Sequence, residues 1–150
     1  MKLFRRAFLA IALVSSFLFV QCSCDKDDDD QPTVKTTLEK ISIAWKLTEA
    51  LKDGAAMTPV DGSLSLTQAS NVATTYTSST GSGIENPAGK ASGNWSFNES
   101  GKTITFNPGD ATNEKVVNLL TFDEKSLKFT WTVTDQKNNK FVYTYTYQPK

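Results

Sequence analysis

Two thiols, Cys22 and Cys24, are the strongest nucleophiles in the chain, two residues apart and with no third cysteine among its 150 residues. A thiolate can attack, hold a metal or pair in a disulfide. Beyond Cys24 there is no thiol, and the whole chain has no histidine. This removes from that region the usual zinc and copper ligands, Ser-His and Cys-His nucleophile pairs, and imidazole as a general base. It also removes any internal disulfide, so the fold must rest on its apolar core. The adjacent acids Asp123 and Glu124 suggest the paired carboxylates of glycoside hydrolysis, but neighbouring side chains in a turn diverge. The other acids, such as Asp61, Glu85, Glu99 and Asp110, fall mostly in loop signals and read as surface charge. From Gln31 onward there is no Gly-rich phosphate loop, calcium-loop pattern or Ser-x-x-Lys. The expectation is a protein that is not an enzyme, with no catalytic residue, no metal and no cofactor.

The thiols sit at the end of a recognisable leader. Lys2, Arg5 and Arg6 precede a 14-residue apolar core, residues 7–20 (AFLAIALVSSFLFV), which is too short to span a bilayer comfortably. Its position behind three positive charges favours an export signal over a buried helix. Formal charge is zero for the whole chain; without those three cations, 13 basic residues face 16 acidic ones, a balance of −3. The run Asp25-Lys26-Asp27-Asp28-Asp29-Asp30 alone carries −4, so the chain from Gln31 onward is +1, with charges scattered singly. Without a basic stripe, nucleic acid is not an expected partner.

An apolar leader closed by cysteine resembles the bacterial lipoprotein signal, in which lipid is attached to the cysteine before cleavage. Cys24 follows the small Ser23, which suits the peptidase pocket, whereas Cys22 follows Gln21. The residue three before Cys24 is Gln21, where the family usually has Leu. The resemblance implies a signal over residues 1–23, lipid on Cys24, and a membrane as partner through that lipid. The acidic run is similar to the tether of Bacteroidota lipoproteins, where such a patch is an address for the outer face of the outer membrane. Residues 24–31 then form the tether, which as a charged segment is also a self-repelling spacer.

Residues 32–150 make one domain. Residues 31–42 hold one short helix, with Val34, Leu38 and Ile41 at spacings of four and three. Alternation and turn residues then take over, predicting an antiparallel all-β domain. Eight strands are expected, at residues 43–51, 63–67, 73–78, 93–98, 103–107, 115–122, 126–134 and 141–147. In the first, Ile43, Trp45, Leu47 and Leu51 share a face that Glu49 interrupts. In the sixth, Val116, Leu120 and Phe122 oppose Val117 and Leu119. The last two alternate most cleanly: Leu127, Phe129, Trp131 and Val133, then Phe141, Tyr143, Tyr145 and Tyr147, oppose mainly threonines. Short turns favour sequential pairing, and a meander of about eight strands loses its edges by closing into a barrel. An open β-sandwich is the alternative.

The segments Ile43-Ala44-Trp45-Lys46-Leu47, Gly93-Asn94-Trp95-Ser96-Phe97 and Gly101-Lys102-Thr103-Ile104-Thr105-Phe106 are similar to the small lipocalin-like domains of Bacteroidota lipoproteins. Those pair a Trp in the first strand with a mid-chain Gly-x-Trp. Classical lipocalins have Gly two residues before the first Trp, where this chain has Ile43. The resemblance implies a lipocalin-like barrel acting as a monomeric, non-catalytic binding module. Trp45, Trp95, Phe97, Phe129, Trp131, Tyr143 and Tyr145 are its ligand-cavity candidates, for a small apolar or planar molecule. The same side chains can instead simply fill the core, since eight strands enclose a space that side chains can fill. The alternative function is an interaction or inhibitor module docking on an envelope protein or protease. Residues 68–83, rich in Ser, Thr and Gly, read as surface loop and short polar strand rather than a lid.

Overall fold

The computed structural model describes residues Val34–Lys150. The apolar leader, Cys22, Cys24 and the acidic tether lie outside the described residues.

Helix α1 (Thr37–Ile41) is shorter than the window predicted for it. It starts where the sequence offers a capping box: Thr36 Oγ1 accepts from the Glu39 amide at 3.2 Å, and Glu39 Oε2 accepts from the Thr36 amide at 2.6 Å. Val34 precedes the cap and is exposed. Of the expected apolar stripe, Ile41 is buried and Leu38 partly buried.

Nine strands follow: β1 (Ala44–Lys52), β2 (Ala55–Ala56), β3 (Gly62–Ala69), β4 (Val72–Thr80), β5 (Ser92–Asn98), β6 (Thr103–Phe106), β7 (Lys115–Phe122), β8 (Leu127–Thr134) and β9 (Lys140–Pro149). Every pairing is antiparallel, consecutive strands from β3 to β9 are neighbours, and β1 joins β3 on one side and β9 on the other. The pairing of β1 with β9 closes eight strands into a barrel and excludes the open sandwich. The ninth strand, β2, was not expected from the sequence. It is a two-residue return onto Leu51 and Lys52 through Asp53 and Gly54, both at positive φ, as a tight hairpin requires. The β3–β4 turn uses Ser70 and Asn71 in the same left-handed region, so residues 68–83 form most of a hairpin.

Two predicted faces are corrected by bulges. The β1–β9 register shifts between Leu47 and Glu49, with Thr48 as the extra residue. A bulge reverses the alternation beyond it, so Ala50 is buried and Leu51 is not the next inward side chain after Leu47. The β7–β8 register shifts between Leu119 and Thr121. Phe122 therefore leaves the face of Val116 and Leu120, which are 48% and 56% exposed, and packs against the core.

The register places the start of β1 and the turns after β3, β5 and β7 at one end of the barrel. There α1 is held by Thr37, which donates to Glu99, and by a Lys35–Glu124 ion pair at 3.6 Å. At the opposite end the β4–β5 loop folds inward, burying Ile84 and Ala88.

Candidate functional site

The barrel interior is built by one face of each strand. Across β8 and β9, Leu127, Phe129 and Trp131 stand opposite Tyr147, Tyr145 and Tyr143. Trp131 stacks on Tyr143 with ring centroids 5.2 Å apart and an interplanar angle of 19°, and meets the edge of Tyr145 at 4.6 Å. Phe129 stacks on Tyr147 at 5.4 Å. Six of the seven candidates are thus gathered in the interior: Trp45, Trp95, Phe129, Trp131, Tyr143 and Tyr145 are all buried. The seventh, Phe97, is half-buried at the α1 end, with its ring edge toward Phe122 at 6.3 Å.

These side chains fill the space they surround. Trp45, Phe106, Phe129, Tyr145 and Tyr147 have no water-accessible surface, so no void of water size borders them. Their polar atoms are also largely committed. The Trp45 indole donates to the Ile41 carbonyl at 2.9 Å, tying β1 to α1, and the Trp95 indole donates to the Thr67 carbonyl at 2.8 Å. Tyr145 donates to the Glu85 carbonyl at 2.9 Å, pinning the β4–β5 loop. Burial, with Tyr143 and Glu85 nearby, pushes the Tyr145 phenol well above the ordinary tyrosine range. Burial does the same to Tyr147, whose hydroxyl has no hydrogen-bond partner among the described residues.

A polar network missed at the sequence level closes the loop end. Tyr76 donates to Asn107 Oδ1 at 2.9 Å, and Asn107 Nδ2 donates to the carbonyls of Ala88 and Asn113, each at 3.1 Å. Desolvation raises the Tyr76 pKa against the opposing pull of that Asn107 bond. Beside the network, Lys90 sits 2.9 Å from Asp110 and, with Asn113, holds that carboxyl well below the usual carboxylate range. Asn107 lies at φ 52°, and its place just before Pro108-Gly109 was the one sequence signal it carried.

The adjacent acids Asp123 and Glu124 serve local structure. Asp123 Oδ1 accepts from the amides of Lys125 at 2.7 Å and Ser126 at 2.8 Å, shaping the β7–β8 turn, while Glu124 pairs with Lys35. Among the described residues, no group of three or more His, Cys, Asp or Glu gathers in a way that could hold a metal ion.

Outside the barrel, a groove of about 470 Å³ runs between α1 and the parted ends of β4 and β5. Leu38, Val72, Ala73 and Phe97 supply its apolar surface, and Glu99 is the one charged lining residue among the described residues. No protein-family model matches the chain, and no curated protein compared with it matches.

Proposed function

We propose that this chain is a lipid-anchored, non-catalytic binding protein of the Bacteroidota lipocalin-like type, carried on the outer membrane and facing outward. Support for the anchor comes from the cationic, apolar leader ending at Cys24 and the acidic run behind it. The binding role is carried by one observation, the closed eight-strand lipocalin-like barrel. A small apolar ligand would enter it by displacing the aromatic filling or the β4–β5 loop. A second reading, docking on an envelope protein, is favoured by the filled interior together with the apolar groove outside it.

Labelled fatty acid incorporated by growing cells tests the anchor. Label should enter the wild type and be lost in Cys24→Ser; retention there with loss in Cys22→Ser moves the anchor by two residues, and retention in both variants removes it. Protease added to intact cells tests the address. Digestion of the wild type, and protection when Asp27, Asp28, Asp29 and Asp30 are all changed to Ala, is the expected result. Equal digestion of both reduces the acidic run to a spacer.

A further inference from the structure

The groove beside α1 is an interruption in the sheet. Strands β4 and β5 pair over three positions, Thr75 with Asn94, Tyr76 with Gly93 and Thr77 with Ser92. Yet β4 begins at Val72 and β5 continues to Asn98. Toward the α1 end the two strands part, and no ladder pair joins residues 72–74 to residues 95–98. The β3–β4 ladder carries a bulge between Leu66 and Gln68, and a bulge bends its strand away from the regular course. Both flanks keep their other neighbours, β3 for β4 and β6 for β5, so each wall is a well-held strand with one open edge.

We propose that this gap binds an extended peptide segment of another protein, carrying a basic residue, by β-strand addition between β4 and β5. Open strand edges offer backbone donors and acceptors in a row, which an extended chain satisfies and an aliphatic or planar small molecule does not. The side-chain chemistry matches. Leu38, Ala73 and Phe97 are partly buried in the wall, and Val72 is 62% exposed at the lip, so alternate side chains of an inserted strand meet apolar surface. Charge selects further: Glu99, exposed and the one charged residue among the described residues that line the groove, favours Lys or Arg on the incoming segment. The open stretch is three to four residues on each wall, which sets a short recognition segment. This rests on the docking reading of the protein and adds its place, its mode and the chemistry of its partner.

The full-length chain in detergent micelles, panned with phage-displayed random octapeptides, tests it. Enriched clones should alternate apolar and polar residues and carry Lys or Arg. A synthetic copy of the best clone, added at about ten times its Kd, should slow exchange of amides in residues 72–74 and 95–98 roughly tenfold. Glu99→Lys should weaken that peptide about threefold to fivefold, the range of an exposed ion pair. Glu99→Gln, which keeps an acceptor for Thr37, should do so with unchanged circular dichroism. A footprint elsewhere on the protein, or an affinity indifferent to Glu99, overturns the groove while leaving docking in place. Failure of any clone to enrich, with no envelope protein cross-linked to the chain on intact cells, overturns both. Concentration-dependent self-association abolished by Val72→Asp shows a second copy as the occupant and also overturns the proposal.

Discussion

Asn107 occupies the space that a side chain on Gly93 would need. A methyl there would overlap Asn107 Oδ1 and lie 3.0 Å from the Tyr76 ring and 3.1 Å from its hydroxyl. The glycine of Gly93-Asn94-Trp95 therefore has a physical reason: it admits the amide that links Tyr76 to the loops after β4 and β6. Gly93→Ala should destabilise the fold by about 2–3 kcal/mol through overpacking and loss of the Tyr76–Asn107 bond. Adding Asn107→Ala should cost less in that background than in the wild type, a coupling that urea titration of the four proteins measures. Additive effects would mean that the methyl is accommodated without touching Asn107.

Trp131 decides whether the interior is a core or a site. It is held between Tyr143, Tyr145 and Phe129, with centroids 4.6–5.9 Å away. Trp131→Ala should cost about 3–5 kcal/mol, through lost transfer energy and the cavity left behind. Wild-type protein should not bind an environment-sensitive apolar dye, whereas the variant should accept indole in the vacated space. A small loss of stability, together with stoichiometric dye binding by the wild type, would restore an internal ligand site.

Legibility in the sequence followed burial. In β8 and β9 one face is buried from Leu127 to Trp131 and from Tyr143 to Tyr147, so the alternation of Phe129 and Trp131 with threonines gave orientation directly. The alternation of β1 holds to Leu47 and breaks at Thr48, because a bulge changes phase without changing composition. The same holds for Phe122 after Leu120. Two alanines in β2 carry no periodic signal. Tyr147 lies on the same face as Tyr143 and Tyr145 and is buried with them. Asn107 acts through contacts with residues 19 and 31 positions away, which no local pattern encodes. Phe97 shares a face with Trp95, yet it lies where β4 has already turned away, so it lines the groove.

Tyr147 carries a hydroxyl that the fold does not satisfy. It is fully buried, stacked on Phe129, and its oxygen has no partner among the described residues. Deleting an unpaired buried polar group while keeping the ring should be favourable. Tyr147→Phe is expected to raise stability by about 1 kcal/mol, seen as a higher denaturation midpoint with an unchanged slope. A loss of stability would indicate that an ordered water serves the hydroxyl.

The buried phenols set the alkaline limit. Burial raises the pKa of Tyr76, Tyr145 and Tyr147 above the usual tyrosine value of 10.0. Below about pH 10 the folded and unfolded states both keep these protons, so the three residues give no pH dependence. Above it the unfolded chain releases them while the folded chain retains them. The unfolded state then binds fewer protons, and stability falls as pH rises. Tyrosinate absorbance from these residues should therefore appear together with the loss of far-ultraviolet ellipticity rather than before it. Tyr147→Phe, with one such proton fewer, should move the alkaline midpoint upward. Ionisation of all three near pH 10 with ellipticity intact would show that solvent reaches the barrel interior.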